Sequence, residues 1–238
     1  MKSILPEISI RQAAITAGIA ILVMTLAAVS ATDVTIGPLI VPNDPTTTIE
    51  NIKNNEMLFR FGIFSWIVVL ISDVVAAWGL YIFLSPVNKG VSFISAWLRL
   101  IYTAILGTSI MNFNYVQELL FDSGYYAGAM EHANLESQVW LFLTSFDSSW
   151  SIGLIVFALH ILLLGYLGLK SNYVPRLLSI LLIIGFVGYI LIHLCNLLIP
   201  ENENLIQILG WIFILPMLSE VALGIWLLLK GKNVQIHQ

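Results

Sequence analysis

Only one cysteine, Cys195, occurs in the chain. An intrachain disulfide is therefore excluded, and so is any CxxC redox or zinc motif. Charge is almost as scarce. Asp, Glu, Lys and Arg make up 10% of the residues, where a soluble domain carries about a quarter. Without that charge the chain cannot clothe a water-facing surface. No Gly-rich phosphate loop, G-x-S-x-G elbow or H-E-x-x-H pair appears, so the common signatures of nucleotide, acyl-transfer and zinc-hydrolase chemistry are missing. The net charge is −4 and no basic patch is present, which argues against a nucleic-acid partner.

What the chain has instead is apolar sequence. It is 58% hydrophobic, with a mean hydropathy of +0.91. A membrane span needs about 20 apolar residues at ~1.5 Å rise each. Six segments qualify: Arg11–Ala31, Leu58–Leu84, Ser92–Phe113, Asp147–Leu169, Arg176–Ile199 and Leu205–Leu229. Too little chain lies outside them for a separate soluble domain, so residues 1–238 are read as one domain. The expected fold is an all-α integral membrane bundle of six transmembrane helices, with the lipid bilayer as its principal partner. Lys2 and Arg11 precede the first apolar run and "VSA" ends it at Ala31, as in a secretory signal. The run is longer than a signal core of about 7–15 residues, and a retained helix is expected.

Six spans place both termini on one side. Lys2, Arg11, Lys89, Lys170, Arg176, Lys230 and Lys232 lie on that side, and the opposite loops hold one lysine, Lys53. The positive-inside rule then puts N and C termini in the cytoplasm. The outer loops carry Asp33, Asp44, Glu50, Glu56, Asp122, Glu131, Glu136, Glu201 and Glu203. Pro38, Pro42 and Pro45 oppose a helix before Thr46, after which "PTTTIENI" offers threonine caps. "LESQVWLFLTSF" (135–146) reads as an interfacial helix bent at "DSSW", completing an outer cap, or equally as an outward extension of the fourth span.

Four ionisable residues interrupt the apolar runs: Asp73, Arg99, His160 and Glu220. Each costs several kcal/mol in hydrocarbon if unpaired, so each should face the bundle or a wet cavity. Counted from the inner loops, their depths are ~18, ~12, ~15 and ~15 Å, all near one level. Small residues share their faces. Ser95, Arg99, Thr103 and Gly107 form one stripe; Ser149, Gly153, His160 and Gly168 another; Pro216, Glu220 and Gly224 a third; Asp73 sits beside Ala76 and Ala77. Such faces mark close helix approach. Arg99 is thus expected inside the bundle, with Asp73 as first partner and Glu220 as second. Tyr102 and Thr103 complete the candidate midplane cluster. A weaker outer vestibule comprises Glu56, Arg60, Asn112, Asp147 and His193, with Asn114 and Asn196 at the same level. His193 and Cys195 are at i and i+2, on different helix faces. Arg99 would repel a cation beside Asp73, His160 and Glu220. No metal site and no cofactor are expected.

Several segments resemble the bacterial domain of unknown function 4386 family. They are "MLFRFG" (57–62), "LYIFLSPVNKG" (80–90), "WLRL" (97–100), "ALHILLLGYLGLKSNYVPR" (158–176), "GYI" (188–190) and "SEVALGIWLLLKG" (219–231). The resemblance covers nearly the whole chain. It implies a multi-helix protein of the bacterial inner membrane and no particular activity. Arg60, Arg99, His160 and Arg176 match recurring positions, whereas Tyr102 stands where the family often has an acid and Asp147 where it has a His.

The favoured function is small-ligand binding or transport at the midplane cluster. Two other readings stay open: a structural or partner-binding membrane subunit whose buried charges only fix packing, and an intramembrane enzyme, possibly metal-dependent. Enzymatic activity is not favoured.

Overall fold

The computed structural model describes residues 8–121, 132–199 and 202–231. Lys2, Asp122, Glu131, Glu201 and Lys232 of the charge reading lie outside them. All regular structure among the described residues is helical: α1 (Ile10–Val29), α2 (Pro45–Asn54), α3 (Glu56–Leu84), α4 (Lys89–Phe121), α5 (His132–Lys170), α6 (Arg176–Leu198), α7 (Glu203–Met217) and α8 (Ser219–Leu229). Six stretches are long and apolar enough to cross a bilayer, the last being α7 and α8 together.

The spans close into a ring. In chain order α1 packs on α3, α3 on α4, α4 on α5, α5 on α6 and α6 on α7, and α8 returns to α1. Side chains divide accordingly. On α3, Phe64, Ile67, Ile71, Val74 and Trp78 are exposed. They recur every three or four residues and form a stripe for lipid. Phe59, Trp66, Val69, Asp73, Ala76 and Ala77 are buried on the same helix. The α5–α6 contact is close because Gly165 and Gly168 of α5 meet Ser179 and Ile183 of α6.

Three expectations are corrected. First, α1 does not end at Ala31. A π-helical turn (Ser30–Thr35) and a 3₁₀ turn (Gly37–Leu39) continue it. The Thr32 hydroxyl donates to the Ala28 carbonyl, and the Thr35 hydroxyl to those of Ser30 and Ala31. These bonds satisfy the looser π turn, and Pro38 falls in the first turn of the 3₁₀ segment, where its missing N–H costs nothing. Second, α2 is capped by Asp44 and not by a threonine. The Asp44 carboxylate accepts from the Thr47 N–H at 3.0 Å and the Thr47 hydroxyl at 2.6 Å, with Pro45 opening the helix. That is the usual order of an acidic N-cap followed by Pro. Thr47 holds the Asp44 carboxyl below its ordinary range.

Third, of the two readings of "LESQVWLFLTSF" the structure takes the outward extension of the fourth span and not the interfacial helix. It belongs to the uninterrupted α5. "DSSW" does not end the helix because Ser148 and Ser149 return their hydroxyls to the carbonyls of Thr144 and Ser145, an arrangement helices tolerate. At ~1.5 Å per residue, α4 is ~50 Å long and α5 ~58 Å, well beyond a ~30 Å hydrocarbon core. Their ends therefore project from the bundle. There α2 leans on α5, and the Thr46 hydroxyl donates to Glu136 at 2.9 Å.

At the opposite end Tyr173, between α5 and α6, donates its hydroxyl to the Phe83 carbonyl at 3.0 Å. Burial pushes its phenol up to about 12, so it remains a proton donor at neutral pH. This bond joins the α3–α4 turn to the α5–α6 turn.

Candidate functional site

Arg99 lies at the centre of the ring and is 0% exposed. Its neighbours Trp97 and Ile101 point outward, which is how one helix carries a guanidinium inward and an apolar stripe outward. Nε donates to Asp73 Oδ1 of α3 at 2.9 Å, and Nη2 lies 2.7 Å from the same oxygen. Nη1 pairs with Glu220 Oε1 of α8 and lies 3.2 Å from His160 Nε2 of α5. Nη2 also donates to Met24 Sδ of α1 at 3.2 Å. One side chain on α4 thereby holds four other helices. Asp73 and Glu220 are both partners, so the two sequence candidates are simultaneous and not alternatives.

Hydrogen-bond logic fixes the imidazole. A guanidinium only donates, so His160 Nε2 accepts and the ring proton sits on Nδ1. Nδ1 lies 2.9 Å from both the carbonyl and the hydroxyl of Ser95. Ser95, one turn before Arg99, thus orients the histidine that Arg99 contacts. Thr103 returns its hydroxyl to the Arg99 carbonyl at 2.8 Å. It is buried and supports the helix backbone, but makes no side-chain bond to the cluster.

Two features remain unbalanced. Asp73 Oδ2 is buried and accepts no hydrogen bond among the described residues. The formal charge of the group is one guanidinium against two carboxylates.

Beside the cluster is a cavity of about 590 Å³. Glu220, 5% exposed, lies at its base, while Arg99 does not line it. The walls are aromatic: Trp66, Tyr102, Trp150, Phe157 and Tyr189. Their rings interlock, with Trp66 on Trp150 (5.0 Å between centroids), Tyr102 on Phe157 (4.8 Å) and Phe157 on Tyr189 (5.4 Å). Trp150 Nε1 is buried with no hydrogen-bond partner among the described residues. Along α1 and its π-helical turn the lining runs from Met24 to Thr32, and from Leu218, between α8 and α7, it runs back along α7 to Ile206, ~12 and ~18 Å of helix. The cavity therefore extends from the Arg99 level toward the end that bears α2.

The outer vestibule does not assemble as one group. Arg60 pairs with Glu56 on the α3 surface at 2.7 Å, both about two-fifths exposed, and its guanidinium lies 5.8 Å from the Phe121 ring. Asn112 donates back to the Ser109 carbonyl, Asn114 to Glu118, and Asp147 is exposed. His193 is elsewhere. It is 8% exposed, stacks on Tyr189, reaches Ser151 at 3.3 Å and lines the cavity. Of the vestibule residues it alone joins the deeper site, because its helix face, and not its depth, decides its neighbours.

Sequence reading missed Met24 and every aromatic wall residue except Tyr102. Met24 is one of several apolar residues in its span and carries no signal. Trp66 does: it lies within its span and away from the headgroup level that tryptophan favours, whereas Trp150 is the fourth residue of the expected fourth span, close to that level.

No solved structure matches the chain. An uncharacterized protein of Archaeoglobus fulgidus is 28% identical over 169 residues, covering 70% of this chain and 81% of that protein. A family model described as "Domain of unknown function (DUF4386)" matches residues 16–231, an interval that holds Asp73, Arg99, His160 and Glu220, and the chain belongs to that family.

Proposed function

We propose that this protein binds a small molecule in the aromatic cavity, with Glu220 and His193 as polar contacts, in the service of uptake, export or sensing at the membrane. The observation that carries this reading is the meeting of a 590 Å³ aromatic cavity with a carboxylate that is buried yet faces it. Binding sites are typically apolar concavities of about 300–1,000 Å³ with few polar groups. A cluster serving only to fix helix packing would need no such space next to it. Trp150 Nε1 adds a donor for an acceptor atom of the bound molecule.

Gly210 supplies the test. It lines the cavity, and a Cβ built there meets nothing within 4 Å. Gly210→Phe should fill the space and leave folding intact. Denaturing extraction and mass spectrometry of purified wild-type protein should yield a small molecule near one per chain, absent from Gly210→Phe at an unchanged melting temperature. The same molecules at the same stoichiometry in both proteins would overturn the proposal.

The proposed orientation puts the termini in the cytoplasm and the cavity in the outer half of the bundle. Its support is the charge distribution. Arg11, Lys89, Lys170, Arg176 and Lys230 are exposed at one end, and Lys53 and Arg60 at the other, where Arg60 is paired with Glu56. In a Cys195→Ser background, Asn43→Cys should react with an impermeant maleimide in intact cells, and Asn88→Cys only after lysis. The reverse pattern would invert the topology.

A further inference from the structure

We infer that the occupant of this cavity is an organic cation, a lipophilic ammonium or related onium group, with Glu220 as its counter-ion and the aromatic walls as its cage. The inference deepens the ligand-binding reading and rests on it. It is carried by which charges the cavity sees. Arg99 is 0% exposed and does not line it; Glu220 is 5% exposed and does. Glu220 gives Oε1 to Arg99, and its other oxygen accepts no hydrogen bond among the described residues. From inside the cavity the cluster therefore presents a carboxylate and hides the guanidinium.

The charge count points the same way. Asp73 and Glu220 oppose one Arg99, with His160 held as an acceptor toward that arginine. The cluster therefore holds one acid more than its guanidinium can neutralise, and an unpaired charge is costly in a low-dielectric setting. A cation at the cavity base would complete the balance. The walls suit it, because aromatic faces attract cations, and Trp and Tyr do so most strongly. Trp66, Trp150, Tyr102 and Tyr189 provide those faces. The guanidinium of Arg99 already sits 5.4 Å from the Phe157 ring, so one wall residue holds a cation at its back. An anion would meet the Glu220 carboxylate with no lysine or arginine in the lining to offset it. A neutral lipophile would gain the walls but leave the extra charge unpaired.

Tetraphenylphosphonium and tetraphenylborate, equal in shape and opposite in charge, test this. Their binding to the protein in lipid nanodiscs is measured by equilibrium dialysis, with empty nanodiscs correcting for partition into lipid. The phosphonium should bind one per chain, at least tenfold more tightly than the borate. Glu220→Gln should remove most of that preference. Gln keeps an oxygen for Arg99, and Asp73 still neutralises the guanidinium, so the variant should fold. Trp150→Leu, which leaves every charge in place, should weaken phosphonium binding by at least fivefold. Equal affinity for the two ions, with both lost in Gly210→Phe, would refute the cation while the cavity reading stands. Ion binding unaffected by Gly210→Phe would place the ions elsewhere and refute both. No saturable phosphonium binding above the empty-nanodisc level would equally refute the cation.

Discussion

Arg99→Leu is expected to destabilise the protein by about 3–5 kcal/mol, the range found when one member of a buried ion pair is removed. Its guanidinium carries bonds to Asp73, Glu220, His160 and Met24. After the substitution two carboxylates remain inside the ring with no cation. Arg99→Lys should recover only part of the stability. A single ammonium on a flexible stem cannot reproduce the planar fork that engages acids on α3 and α8 together. Thermal and denaturant unfolding of the two variants in detergent would measure this. Equal stability of Arg99→Leu and wild type would show that the cluster holds nothing together.

Gly165→Leu should also destabilise the protein, for a reason unrelated to charge. A Cβ at Gly165 would lie 2.6 Å from Ile183 Cγ1, 2.8 Å from the Ser179 carbonyl oxygen and 3.2 Å from the Ile183 nitrogen. Two of these are backbone atoms of α6, so no side-chain rotation clears the way and the helices must separate. Overpacking of this kind costs about 1–3 kcal/mol, occasionally more, and here it would loosen the helix pair that holds His160 beside Arg99. Gly210→Ala is the matched control. Its Cβ meets nothing within 4 Å, so only helix propensity changes, a gain of up to about 1 kcal/mol. A lower melting temperature for Gly165→Leu and none for Gly210→Ala is the expected pair of results. An unaltered melting temperature for Gly165→Leu would mean that α5 and α6 are not in tight contact.

Much of this architecture was legible in the residues. Apolar run length gives six spans because a bilayer imposes it. The isolated charges gave the cluster, since Arg99 cannot neutralise itself and has to find acids at its own depth. Asp73 followed from the tight α3–α4 hairpin. Glu220 was the harder partner, 121 positions away, and depth alone brought it forward. The failures share a cause. Span length is set by the bilayer, but α4 and α5 continue past it, so run length leaves 135–146 open between an interfacial helix and an extension of the fourth span. Depth groups residues without regard to face, so His193 was assigned to Glu56 and Arg60 although its helix turns it toward Tyr189 and the cavity. The cavity itself is a property of how the helices meet, and Met24, Trp66, Trp150 and Tyr189 become neighbours only after the ring closes.

The central claim is that one guanidinium binds acids from two non-adjacent spans at once. Double-mutant cycles read that coupling most directly, because they subtract what each substitution does alone. Unfolding free energies in detergent are needed for Arg99→Leu, Asp73→Leu and Glu220→Leu and for the two doubles containing Arg99→Leu. Strong coupling is predicted in both cycles, above about 1 kcal/mol, with each double mutant more stable than the sum of its single losses implies. Additive losses in both cycles would contradict the account, and additivity in one would leave Arg99 bound to the other acid alone.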